Sequence, residues 1–255
     1  MKITKIKLLK NKVVVYFDKN RLELDKEVYP NFYLYEGKEI TPNEYKKIKE
    51  YNDVSSLLKY ALKVREKSLL SEFALREKLY SRGGSKKEVD KVIKMMKSYD
   101  LIDDKAFIEE YIEYYNSKNY GKNKIITKLN EKGIFKEKLS KVNFPISIEN
   151  KKAKTLLPKL EKKYEKYNNK EKKAHIYNAY ISLGFDVDIA LKYSSLAKEN
   201  SLKEENEKLK EDFNKAYIRL SRKYKGKELK EKLINHLLIK GYKFNDFYPL
   251  IERKL

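Results

Sequence analysis

The 255-residue chain has no cysteine, no tryptophan and only two histidines. Without thiols there is no disulfide framework, no cysteine-based zinc or iron–sulfur site and no thiol nucleophile. Long apolar runs are missing as well. The longest strongly apolar stretch, Val13 to Phe17, is five residues, far short of the ~20 that a membrane-spanning helix needs. The opening Met1-Lys2-Ile3-Thr4-Lys5-Ile6-Lys7 alternates apolar and polar residues and lacks the continuous apolar segment of a secretory leader. A soluble, cytoplasmic protein without membrane contact is expected. Neither G-x-x-x-x-G-K-[ST] nor G-x-G-x-x-G occurs, so no nucleotide cradle and no ATP hydrolysis by this chain are expected. Arginine is scarce too. Only seven of the 60 basic residues are Arg, although Arg is the better bidentate reader of phosphates.

What is abundant is lysine. The formal net charge is +22, and 38% of residues are charged. Lys, Asn, Ile and Tyr are rich together, as AT-rich coding produces, so part of this charge is discounted as solvated surface. The remainder points to a polyanionic partner, most simply nucleic acid. No segment is a basic tail. The excess is spread over the whole chain, which suits a surface following a filament better than one point-like site.

Punctuation by glycine gives the organisation. Gly83, Gly133, Gly184 and Gly241 each follow large apolar residues at eight and four positions before them: Leu75 and Leu79, Ile125 and Leu129, Ile176 and Tyr180, Leu233 and Leu237. That spacing puts each pair on one helical face, and the glycine then suits the left-handed position that ends a helix. Six and nine residues later stand Val89 and Val92, Leu139 and Val142, Ala190 and Tyr193, Phe247 and Leu250, marking a further helix. An amphipathic stretch also precedes each glycine-terminated helix. The expected fold is mainly α: an elongated, curved array of tandem three-helix repeats. Residues 3–29 read instead as a β-hairpin or small sheet. Thr41-Pro42-Asn43-Glu44 reads as a capping box that opens a helix. The expected divisions are residues 1–52 (β-hairpin plus short helix), 53–103, 104–147 and 148–198 (three repeats), and 199–255 (linker and fourth repeat). Glu199 to Asn206 reads as the linker or a solvated helix extension, and Glu161 to Lys173 as an exposed helix end plus loop.

No catalytic centre, metal site or cofactor emerges. His175 and His236 read as helix-surface or interface groups. The acidic cluster Asp103, Asp104, Glu109, Glu110 and Glu113 could hold Mg²⁺ for phosphodiester cleavage. However, Asp103-Asp104 directly precedes Ala106-Phe107, where aspartate caps a helix start, and capping is the preferred reading. The basic residues recur near the second helix of each unit: Arg76, Lys78 and Arg82; Lys122, Lys124 and Lys128; Lys172 and Lys173; Arg219, Arg222, Lys223, Lys225 and Lys227. Such recurrence could align them as a stripe facing phosphates. Scattered solubilising lysines are the competing reading. Tyr111, Tyr115, Tyr180 and Tyr217 fall on periodic positions and read as packing.

These residues resemble a known family. Leu101-Ile102-Asp103-Asp104-Lys105-Ala106-Phe107 is similar to the G-L-I-D-D-x-x-[FY]-A signature of the RecX regulatory proteins. Gly121, Ile125, Leu129 and Lys132-Gly133-Ile134 follow that family's G-x-x-x-I-x-x-E-L-x-x-K-G-I. Ser71, Leu75, Arg76, Leu79 and Gly83 follow its S-x-x-E-L-R-x-x-L-x-x-x-G. The stretch from Ile3 through Thr41 resembles the extension of longer members from low-GC bacteria. Departures are Tyr99-Asp100 where a small residue or Gly is usual, Ala74 and Lys128 where Glu is usual, and Gly84 in place of an aromatic. The resemblance implies a non-enzymatic modulator, usually an inhibitor, of the RecA recombinase. It would act as a monomer in the groove of the RecA–single-stranded DNA filament, blocking filament growth, ATP hydrolysis, strand exchange and co-protease activity. Its expected partners are RecA, single-stranded DNA and, secondarily, double-stranded DNA. A general DNA- or RNA-binding helical repeat protein is the alternative.

Overall fold

The computed structural model describes residues 1–140 and 142–255. It begins with an antiparallel sheet in the order β1 (Ile3–Leu8), β2 (Lys12–Phe17), β3 (Arg21–Asp25). Alternation places Val13, Val15 and Phe17 of β2 with Leu22 and Leu24 of β3 on one buried face. Helices follow: α1 (Pro42–Lys67), α2 (Glu72–Ser81), α3 (Lys86–Ser98), α4 (Asp104–Ser117), α5 (Lys122–Asn130) and α6 (Lys136–Leu139). Then come α7 (Ile146–Lys163), α8 (Asn169–Ser182), α9 (Val187–Ser195), α10 (Leu202–Leu220), α11 (Gly226–Lys240) and α12 (Phe244–Glu252). The chain is a mainly helical repeat protein with N-terminal strands.

The expected capping box forms. The Thr41 hydroxyl accepts from the Glu44 N–H at 3.1 Å, and the Glu44 carboxylate accepts from the Thr41 N–H at 2.7 Å. The helix it opens is not short. All 26 residues of α1 run unbroken across the boundary expected at residue 52. Ile48 near its start packs on the sheet, whereas Leu57 and Ala61 pack with Leu75, Leu79, Val89 and Val92 of the first repeat.

All four punctuating glycines lie in the left-handed region, with φ of +90° at Gly83, +75° at Gly133, +88° at Gly184 and +99° at Gly241. The residue after the turn is buried in three repeats, as Ile134, Phe185 and Tyr242. In the first repeat it is Gly84, and a Cβ there would lie 2.9 Å from Leu57 Cδ1 and from Val89 Cγ2. Those two side chains take the volume that the larger residue fills elsewhere.

The chain divides into two compact units, Met1–Tyr111 with Leu129–Leu139, and Ile112–Lys128 with Ser140–Leu255. The division falls inside α4 and α5. The first unit has two cores, one on the sheet and one among α1, α2 and α3. In the second, one core joins α7, α8 and α9 and another joins α10, α11 and α12.

Candidate polyanion interface and its limits

Three times, the first turn of one repeat's second helix meets the glycine turn of the next repeat. In the first unit, the Ser71 hydroxyl donates to the Lys132 carbonyl at 2.5 Å, and Phe73 lies where a Cβ on Gly133 would be, 2.1 Å from its ring. The Glu72 N–H donates to Asp104 Oδ1 at 2.8 Å, and Asp104 also pairs with Lys138. Asp104 therefore caps α2, while Asp103 serves α4 by accepting from the Lys105 N–H at 2.8 Å.

In the second unit, the N–H groups of Gly121 and Asn123 donate to the carbonyls of Leu183 and Gly184 at 2.8 and 3.0 Å. Backbone meets backbone so closely that a Cβ on Gly121 would lie 2.3 Å from the Gly184 carbonyl carbon. Lys122 pairs with Asp186 at 2.5 Å. Burial pushes against the Asp186 charge, and the hydrogen bonds from Lys122 and Asn123 outweigh it, leaving its pKa below the ordinary aspartate value. Behind this joint lies a buried pair, Glu149 with Lys152, 3% and 4% exposed. Lys152 Nζ also donates to Asn116 Oδ1 at 2.8 Å and to the Tyr120 carbonyl at 2.6 Å, and Glu149 accepts from the Lys122 N–H at 3.1 Å.

The third joint seats Lys170 on Gly241. Its Nζ donates to the Ile239 carbonyl at 2.9 Å, while Lys240 pairs with Glu171 at 3.3 Å and Asp212 at 3.1 Å. The physical logic is shared. In each, a carbonyl at the end of one helix accepts from the start of another, through a side chain at the first and third joints and through backbone N–H groups at the second.

These joints correct the expected stripe. Lys172 is buried, with Nζ donating to the Lys198 carbonyl at 2.7 Å, so it is a structural lysine and cannot reach a phosphate. The stretch expected to be a linker, Glu199 to Asn206, supplies a second acceptor, Asn200 Oδ1 at 3.4 Å, and Ser201 within it caps α10. Lys173 is paired with Glu199 at 2.7 Å. Lys122 is held by Asp186, and Lys124 is half-buried with its backbone and Cβ against Gly184. Lys128 is half-buried. Arg76 is clamped by Glu72 at 2.8 Å and Asp90 at 2.5 Å. Partial burial opposes its charge, but those carboxylates outweigh it and raise its pKa further.

Lys78 and Arg82 are exposed, with Arg82 5.2 Å over the Tyr60 ring. The remaining five candidates form the open group. Arg219, Arg222, Lys223, Lys225 and Lys227 are all exposed, and none has an ion pair among the described residues. They crowd the α10–α11 connection. The start of α11 has no side-chain cap, and around Gly226 nothing lies within 4 Å of where a Cβ would be. Among the described residues it meets no glycine turn. Near it, the Arg219 guanidinium lies 3.4 Å from His236 Nδ1. His175 is half-buried in its repeat, with ring centroids 5.2 Å from Tyr164 and 4.1 Å from Tyr167.

The joints left one faint signal in the sequence. Twelve residues before the four turn glycines stand Ser71, Gly121, Lys172 and Leu229, and all are buried. The four types share no hydropathy, so periodicity does not expose the position.

No helix among the described residues is long and apolar enough to cross a membrane. No family model matches the chain. Individual relatives do. The regulatory protein RecX of Streptococcus sanguinis is 28% identical over 265 residues, covering 100% of both chains. That of Clostridium tetani is 35% identical over 184 residues, covering 69% of this chain and 83% of its own. In fold, the chain is similar to a crystal structure of a regulatory protein RecX, with TM-score 0.58, 21% identity and 75% of this chain against 98% of that one. It is also similar to RecX from Lactobacillus salivarius, with TM-score 0.52, 23% identity and 58% against 97%. On the identity and coverage of these relatives, the chain belongs to the RecX family of regulatory proteins.

Proposed function

We propose that the protein is a non-enzymatic regulator that binds the RecA–single-stranded DNA filament as a monomer. Bound there, it inhibits or modulates filament growth, ATP hydrolysis, strand exchange and co-protease activity. Membership of the RecX family supports the recombinase as its partner. The observation that carries the polyanion side is the open group Arg219, Arg222, Lys223, Lys225 and Lys227, free of internal carboxylates. Cations already paired inside the fold gain little from a phosphate, because one partner is only exchanged for another. Unpaired, exposed cations displace condensed counterions, so affinity falls steeply with salt. Lys78 and Arg82 are the next contributors, and the clamped Arg76 and the joint lysines Lys122, Lys124 and Lys173 contribute least.

The test is RecA-driven strand exchange with this protein well below RecA stoichiometry. Inhibition at low salt is expected, and its absence would sink the proposal. Binding to pre-formed filaments should exceed binding to bare single strands. Equal binding would favour a plain nucleic-acid-binding protein.

A further inference from the structure

We propose that the groove between α1 and α3 in the first unit docks an acidic amphipathic segment of another protein. The groove has a volume of about 470 Å³. Its floor is apolar. Tyr51, Val54 and Leu58 follow one another along a single face of α1, and Met95 closes the floor from α3. The adjoining positions of α1 are already used, by Ile48 toward the sheet and by Leu57 and Ala61 toward the repeat. The floor is the half-buried margin of that same apolar stripe: Val54 and Leu58 pack in part on the repeat's core, and Phe32 stands edge-on to Tyr51 at 5.4 Å.

The rim decides the partner. Lys47 on α1 and Lys91 and Lys94 on α3 are exposed and have no ion pair among the described residues. The carboxylate on that wall, Glu50, is paired with Lys87 at 3.3 Å. Three cations outside any direct ion pair among the described residues therefore frame an apolar floor. A second copy of this chain, at +22, would bring like charge to the rim. A nucleic-acid strand would satisfy the rim but would leave its charged backbone over Val54, Leu58 and Met95, desolvated without return. A helix with apolar residues at i, i+3 or i+4, and i+7 satisfies both at once when acidic residues flank that stripe. Methionine in the floor lets the surface adapt to such side chains. The proposal is independent of the recombinase reading, because neither the open cation group nor its partner enters it.

The experiment uses the full chain and a fluorescein-labelled 16-residue helical peptide with leucine at i, i+3, i+4 and i+7 and glutamate on the flanking positions. Anisotropy should show saturable binding. Combining Lys91→Glu with Lys94→Glu should weaken it at least tenfold without changing the thermal melt, since both residues are exposed. Val54→Asn, checked by the same melt, should weaken it severalfold, whereas Arg222→Glu should leave it unchanged. A peptide of the same composition with its leucines scrambled off one face should bind at least tenfold more weakly. The proposal is overturned if the labelled peptide does not bind. It is equally overturned if the scrambled peptide matches it, or if reversing Lys91 and Lys94 lowers affinity for single-stranded DNA as much as for the peptide.

Discussion

The starts of α5 and α11 are written alike in the sequence and are used in opposite ways. Each opens a repeat's second helix, each is lysine-rich with a glycine beside it, and each leads to a glycine turn. At α5 the backbone of Gly121 and Asn123 is bonded to the Gly184 turn, and Lys122 is spent on Asp186. At α11 the first turn is uncapped, and Arg222, Lys223, Lys225 and Lys227 stand exposed without carboxylates. A recurring lysine is thus glue where another repeat sits on it and free charge where none does. Burial and partner decide between the two, and residue type does not.

The closed joint can be broken most severely at Lys152. Lys152→Ala strands the buried Glu149 carboxylate and two further acceptors, and a loss of ~3–5 kcal/mol is expected from an uncompensated buried charge. Urea denaturation followed by circular dichroism measures it. A loss within 0.5 kcal/mol would mean that water replaces the ammonium and that the pair is not structural.

Next is Gly121→Ala, whose methyl would collide with the backbone of Gly184 and Phe185. Overpacking against an unyielding neighbour should cost about 1–3 kcal/mol or more. Gly83→Ala sharpens the contrast. No atom stands within 4 Å of a Cβ there, so only the left-handed backbone resists, at about 1–2 kcal/mol. If the two variants melt alike, the joint is not close-packed.

At the open end, reversing Arg222 and Lys225 to Glu should change stability by under about 0.5 kcal/mol. It should flatten the dependence of single-stranded DNA affinity on salt. Lys122→Glu should do the reverse, lowering the melting temperature and leaving the salt slope in place. Salt titrations of the two variants side by side test the comparison directly.

The smallest effect concerns His236. Burial first, then nearby Arg219 and Lys240, hold its pKa below the ordinary histidine value. The unfolded chain takes up the proton first, at about pH 6.5. The stability tied to the neutral ring is therefore full above that pH and declines as the pH falls below it. His236→Gln should flatten the melting temperature between pH 7 and pH 5, and an unchanged slope would discount the site.

Much of the fold was readable residue by residue. The four turn glycines, the apolar pairs before them and the Thr41 capping box are local patterns with one physical solution each. Tyr180 was read as packing, and it is fully buried with its hydroxyl donating to the Ala153 carbonyl at 2.8 Å. The length of α1 was not readable, because the Pro42 start is a local signal whereas its continuation past residue 52 depends on packing against two different cores. Asp104 was read as a cap of the helix that follows it, but its bond goes to the start of α2, 32 positions earlier. The candidate site was the least legible part. Thirteen cations were equivalent on the sequence, and a buried lysine such as Lys172 looks no different from an exposed one until the Lys198 carbonyl is seen beside it.

By itself the sequence determined the helix–glycine–helix repeat, the N-terminal strands and the surplus of lysine. These follow from backbone sterics and from the period of apolar residues along the chain. The tertiary structure alone decided which of those lysines remain available, because a charge is free or spent according to what lies within a few ångströms of it.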